Sequence, residues 1–300
     1  MTRFLDSGLD TALILEDDVD WDIRLRSVQV PRAASAARIM MPPKRPLGSF
    51  PRLEQHQLQY WGDHGTWDLL YLGHCGDYFH PISYHGLAPG EPYTLNDVAH
   101  LVYDDPTLPP LSQLHPFTQE LFAALAMPEH TRAFHQSKLP LCSFGYAITR
   151  PAAELLQSNL APLKLDPEGP RAFDVALLRS CIKGSRDMTG AQGRHTNMPP
   201  DPHRGLRCWT LNPELFHHMP GESEIVHIGK ILGEKTGQGL APVDLAGQEQ
   251  TAQRNETANI DCGFWSGLFA FDEGDERRLK LLREEVGQKG RCLKDGRDTP

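Results

Sequence analysis

Three hundred residues with 39% hydrophobic and 23% charged side chains can bury a sizeable core, as one large domain or one domain with appendages. The net charge of −9 argues against a nucleic-acid partner, which calls for a basic surface; it fits a protein that holds divalent cations, and equally a plain acidic enzyme. No run approaches the roughly 18 apolar residues that cross a bilayer, and residues 1–15, with Arg3, Asp6 and Asp10, hold no signal-peptide core.

The first strong element is Thr11-Ala12-Leu13-Ile14-Leu15. It is apolar without alternation, the pattern of a strand buried on both faces in the middle of a parallel sheet. Glu16, Asp17, Asp18, Asp20 and Asp22 crowd its end. Residues 23–41 read as a helix broken by Pro31, and 42–51 as a Pro-rich loop. Residues 67–72 (WDLLYL) form a second buried strand, and 78–97 are irregular. Residues 104–116 are another Pro-rich loop, and 143–148 are a strand. Thr149 caps a helix with Pro151 in its first turn, running to about Leu160. Residues 174–182 make a short amphipathic helix, with Val175, Leu178 and Ile182 on one face. Residues 184–206 lack periodicity and read as a loop, 207–211 and 224–228 are strand-like, and a helix is expected at about 273–287. The division expected is a catalytic domain at 1–233 and a polar extension at 234–300 with one helix.

The six cysteines are scattered without zinc spacing. Their even number permits disulfides but gives no pairing, and Cys142 and Cys181 are read as buried packing thiols. Asn255-Glu256-Thr257 is a glycosylation sequon, relevant only to a secreted protein.

The chemistry concentrates in Leu13-Ile14-Leu15-Glu16-Asp17-Asp18-Val19-Asp20. Carboxylates at the carboxyl end of a buried strand stand where open α/β sheets bind ligands, and they are hard oxygen ligands for Mn²⁺ or Mg²⁺. Such an ion bridges a nucleoside diphosphate and neutralises it as the sugar–phosphate bond breaks. An acidic solvated loop is the plain alternative. A metal-dependent phosphohydrolase with an aspartyl nucleophile is another, but its downstream lysine is not evident.

Leu15-Glu16-Asp17-Asp18-Val19 resembles the LEDDV core of glycosyltransferase family 25, which includes bacterial lipooligosaccharide and animal collagen galactosyltransferases. Residues 67–73 (WDLLYLG), Gly145-Tyr146-Ala147-Ile148-Thr149-Arg150, the Asp at 174 opening a helix, and Pro213 with Leu215-Phe216 are similar to further blocks of that family, in its order. The stretch 73–77 (GHCGD) looks most like its fungal branch. The resemblance implies an α/β fold of GT-A type, a Rossmann-like mixed sheet flanked by helices. The family has a nucleotide-binding βα unit ahead of the LEDDV strand. Only fifteen residues precede Glu16 here, so that unit is expected to be missing. The implied reaction moves a hexose, galactose or glucose, from a UDP-sugar to a hydroxyl on a carbohydrate, glycoprotein or glycolipid acceptor. Mn²⁺ or Mg²⁺ assists it, and full-length relatives are expected in the ER or Golgi lumen. An inactive remnant that binds without turnover is the alternative.

By the same resemblance Asp18 is the leading metal ligand, with Glu16 or Asp20 as partner and His227 as a late histidine completing the shell, unless it is a plain core or surface histidine. Asp17 binds the donor ribose or sugar, Lys230 steadies phosphate charge unless it is simply solvated, and Asp68 orients the metal or donor unless it simply pairs with a base. Asp174 is the general base or, equally, a helix N-cap. Asp77 is a loop acid that could meet acceptor hydroxyls. Tyr146 and Trp67 are sugar-stacking candidates that as strand residues more often belong to the core.

Overall fold

A computed structural model describes residues 1–42, 59–77, 94–114, 116–160, 172–190, 204–218, 260, 262–264 and 267–294. The chain is mixed α/β. Ten strands lie among these residues: β1 (Thr11–Leu15), β2 (Val19–Trp21), β3 (Leu69–Gly73), β4 (Gly76–Asp77), β5 (His100–Asp104), β6 (Thr131–Gln136), β7 (Pro140–Leu141), β8 (Gly145–Thr149), β9 (Cys208–Asn212) and β10 (Phe216–His218). Six of them form one mixed sheet in the order β1-β8-β3-β9-β6-β5. Only β3 and β9 pair in parallel; the other neighbours are antiparallel. Two short ladders, β2 with β10 and β4 with β7, sit beside it.

The apolar run at β3 behaves as expected, with all five residues buried. Its flanks are β8 and β9, and helices cover both faces. Leu70 and Leu72 pack with Ala33, Ala36 and Ala37 of α2 (Val30–Met40). Leu69 and Tyr71 pack on the other side with Ala152 and Ala153 of α4 (Arg150–Leu155) and with Leu177 of α5 (Phe173–Gly190). The small alanine faces let helix and sheet approach closely.

Three expectations need correction. β1 is an edge strand paired only with the antiparallel β8, and Leu13 and Leu15 are 51% and 37% exposed. Its run of apolar residues reports a strand, but not the number of neighbours the strand will find. Pro31 does not break a helix. It stands in the first turn of α2, where its missing N–H costs nothing, after a π-type turn at Leu25–Gln29. Helix α5 runs on to Gly190, through the start of the segment read as a loop.

Strands β5 and β6 and the helix α3 (Pro116–Leu125) have no counterpart in the sequence reading. β6 carries Arg132, 1% exposed, whose Nε meets Asp105 Oδ2 at 2.6 Å. Its Nη1 donates to the carbonyls of Pro213 and Glu214, so this buried pair pins the connection between β9 and β10.

The expected helix near the C-terminus is present as α6 (Glu276–Leu282), extended by a π-type turn at Arg283–Gln288. The Asp275 side chain caps it by accepting from Arg278 N at 2.9 Å. This region reaches the rest of the fold through Phe264, whose ring lies 5.1 Å from that of Trp21. No helix among the described residues is long and apolar enough to cross a membrane.

The cysteines are not thiols. Cys75–Cys142, Cys181–Cys208 and Cys262–Cys292 are disulfides, which corrects the reading of Cys142 and Cys181 as packing thiols. Each partner comes from a distant segment: the β4–β7 ladder brings Cys75 beside Cys142, and the α5–β9 contact brings Cys181 beside Cys208. In the chain-entropy account, closing loops of 67, 27 and 30 residues stabilises by roughly 3.5–4.5 kcal/mol each.

Candidate acidic site at the sheet end

β1, β3 and β9 run in the same direction, so the acidic segment after β1, the turn after β3 and the loop after β9 gather at one edge of the sheet. Glu16 extends the β1–β8 ladder by donating its N–H to Phe144 O at 2.8 Å. The chain then turns into β2, which pairs with β10 so that Val19 faces His218, Asp20 faces His217 and Trp21 faces Phe216.

What seats β10 here is the absence of side chains at Gly73 and Gly145. A Cβ on Gly73 would stand 2.9 Å from Phe216 Cβ and 2.9 Å from Gly145 N. A Cβ on Gly145 would stand 2.9 Å from Phe216 Cδ2. Phe216 therefore lies directly on the ends of β3 and β8, and the strand it belongs to carries His218 to the acidic turn. His218 Nε2 is 2.9 Å from Asp18 Oδ2. Asp18 Oδ1 is buried and has no hydrogen-bond partner among the described residues. The neighbouring His217 pairs with the buried Glu214 at 3.0 Å. Burial alone would raise the Glu214 pKa, but His217 and then His74 outweigh it and hold the group well below the usual carboxylate range.

Asp174 opens α5 on the same side. Its Oδ1 accepts from the N–H of Val175 at 2.7 Å. With Pro140, Leu141, Cys142, Val175 and Leu178 it lines a shallow surface depression. Its field reaches Glu16. Partial burial, then the charges of Asp18, Asp174 and Asp17, raise the Glu16 pKa. The structure thus brings Glu16, Asp17, Asp18 and Asp174 into one electrostatic neighbourhood, with Glu16 and Asp17 exposed and Asp18 half-buried.

Other expected site residues lie elsewhere. Among the described residues no three His, Cys, Asp or Glu side chains converge as a ready metal shell, so Glu16, Asp18 and Asp20 do not form one together. Asp20 is 2% exposed within β2, and its Oδ1 accepts from Trp21 N at 2.7 Å. Asp68 precedes β3, at the opposite end of the sheet from Glu16. There it takes the pairing role: it accepts from Arg207 N and meets the guanidinium groups of Arg207 and Arg204 at 2.9 and 3.1 Å. Asp77 is fully buried and receives Lys138 N, Leu139 N and Thr210 Oγ1, which leaves it no face for an acceptor. Burial pushes its pKa up to about 6 against these hydrogen bonds. Tyr146 and Trp67 belong to the core, at 4% and 1% exposure. His227 and Lys230 lie outside the described residues.

His218, His217 and Glu214 were missed in the sequence. The doublet His217-His218 is visible there, but its partner Asp18 is identified only by the β2–β10 pairing. No family model, no curated protein and no solved structure matches this chain.

Proposed function

We propose that this chain is a metal-assisted hexosyltransferase of GT-A type, similar to glycosyltransferase family 25, that moves galactose or glucose from a UDP-sugar to a hydroxyl acceptor. The observation that carries the reading is the gathering of Glu16, Asp17, Asp18 and Asp174 at the carboxyl end of the sheet, with Asp18 Oδ1 buried and unpartnered among the described residues. A carboxylate oxygen without a donor, among like charges that raise the proton affinity of Glu16, is a fitting environment for a hard divalent cation. Asp18 and Glu16 would hold Mn²⁺ or Mg²⁺, which supplies charge neutralisation at the donor diphosphate. His218 fixes Asp18 through Oδ2 and so leaves Oδ1 for the ligand. Asp17, exposed on the turn, would bind the donor ribose or sugar. Asp174, beside the shallow depression, takes the proton of the attacking acceptor hydroxyl. Three disulfides favour an oxidising compartment, as expected for lumenal enzymes that modify glycoproteins or glycolipids.

A second reading, a carbohydrate-binding protein without turnover, draws on the engagement of Asp18 by His218. A transfer assay over UDP-galactose and UDP-glucose with Mn²⁺, with simple glycoside acceptors, separates the two. The transferase reading expects UDP release that depends on acceptor and falls at least about a hundredfold in Asp174→Asn. Sugar binding with no UDP release from any donor would leave the binding reading standing. UDP-sugar breakdown indifferent to acceptor would point to a phosphohydrolase.

A further inference from the structure

The segment 140–144 is the common wall of the acidic site. Pro140, Leu141 and Cys142 border the depression beside Asp174. Phe144 O accepts the N–H of Glu16 at 2.8 Å, and the Phe144 ring lies 5.4 Å from that of His218. The wall is held from behind by the two-residue β4–β7 ladder, the Cys75 N to Leu141 O hydrogen bond at 2.8 Å, the Asp77 carboxylate that receives Lys138 N and Leu139 N just ahead of it, the buried Phe144 ring, and the Cys75–Cys142 disulfide. Cys142 itself has φ of 59°, a left-handed conformation that a residue with a Cβ adopts at a cost.

This disulfide also differs from the other two in access. Cys181, Cys208, Cys262 and Cys292 are all buried, at 2%, 6%, 2% and 8% exposure, whereas Cys75 and Cys142 are half-buried. Attack by an external thiolate needs a line of approach to sulfur, so exposure selects which bond opens first.

We propose that the Cys75–Cys142 disulfide is a redox-controlled link that positions the wall of the acidic site, closed when oxidised and released by a small or protein dithiol. A thiolate of the dithiol attacks one sulfur, and the Cys75–Cys142 bond breaks as a mixed disulfide forms. The second thiolate of the reductant then displaces the protein sulfur. The protein gains two electrons and two protons as two thiols, and the dithiol leaves as its disulfide. Cys142 is then free to leave its left-handed conformation, and residues 140–144 lose their fixed relation to Glu16, Asp174 and His218.

The test uses the full chain and needs neither donor nor acceptor, so its failure would leave the transferase reading untouched. The protein is treated with graded dithiothreitol, each disulfide is followed by alkylation and peptide mapping, and the backbone amide resonances of Glu16, which donates to Phe144 O, and of Val175, which donates to Asp174, are followed by NMR. The expected result is that Cys75–Cys142 opens at least about tenfold faster than the other two, with far-ultraviolet dichroism unchanged. The Glu16 and Val175 amide resonances should then shift. The double variant Cys75→Ser/Cys142→Ser should show those same shifted resonances without reductant and no further response to it. Opening of Cys75–Cys142 only together with loss of the fold would overturn the proposal. So would selective opening, or a folded double variant, with both amide resonances unmoved.

Discussion

His218 Nε2 stands 2.9 Å from Asp18 Oδ2, joining the last strand of the described domain to the acidic turn that follows the first. The contact occupies one oxygen of Asp18 and leaves the other buried without a partner among the described residues. Replacing His218 with Ala removes the donor and releases the carboxylate. His218→Ala is expected to keep the fold, measured by thermal unfolding within a few degrees of the parent, and to weaken Mn²⁺ binding about tenfold, measured by calorimetry, because Asp18 loses its fixed orientation.

The same strand depends on two glycines. Gly73→Ala forces a methyl to within 2.9 Å of the Phe216 Cβ and of a backbone nitrogen that cannot move cheaply. Overpacking of this kind costs about 1–3 kcal/mol. Denaturant unfolding should show that loss. NMR should show the His218 ring resonances shifting as β10 lifts from the sheet end. Unchanged stability would mean that the close approach of Phe216 is not maintained in solution.

Glu214 is nearly buried and kept ionised by His217. Its depressed pKa contributes stability that is present above the ordinary glutamate pKa and lost as pH falls through the lower folded value. His217→Ala leaves the buried charge unpaired and should cost about 3–5 kcal/mol at pH 7. The penalty should shrink as acid protonates Glu214 in the variant, which urea unfolding at pH 7 and pH 4 would reveal.

Asp77 has the opposite sign. Its folded pKa is pushed up to about 6 from 3.8, so the folded state holds the proton more tightly than the unfolded chain. This contribution is fully present below about pH 4 and is lost as pH rises through 6, a change of about 3 kcal/mol. Asp77→Asn removes that dependence. The difference in unfolding free energy between the variant and the parent should therefore move in favour of the variant between pH 4 and pH 7; a difference flat with pH contradicts the assignment.

Much of the sheet could be read from local pattern, and the failures have a common physical source. The run at 69–73 is apolar because both faces of β3 are covered, and all five of its residues are buried. The run at 11–15 looks the same yet belongs to an edge. Leu13 and Leu15 there are exposed, so an apolar run reports a strand but neither whether its faces are covered nor how many strands flank it. β6 was hidden because Arg132 and His135 break its apolar character; each is satisfied by a group far away in sequence, Asp105 and Asn212. The acidic turn is conspicuous in the sequence; that the charge of Asp174, read there as a general base or a helix N-cap, reaches Glu16 follows only from the fold. Asp20, Asp68 and Asp77 carry the same chemistry in the sequence, but burial and local donors commit them to the fold. His218 became visible only through the pairing of two three-residue strands.

The account stands on a divalent cation bound by Asp18 and Glu16. Calorimetric titration of UDP into the full chain, with and without Mn²⁺, measures this most directly, run beside Asp18→Asn and the fold control Asp275→Asn, whose side chain caps α6. The predicted result is UDP binding that requires Mn²⁺, persists in Asp275→Asn and is lost in Asp18→Asn. Equal UDP affinity in the presence and absence of the metal, or retention of metal-dependent binding by Asp18→Asn, would contradict it.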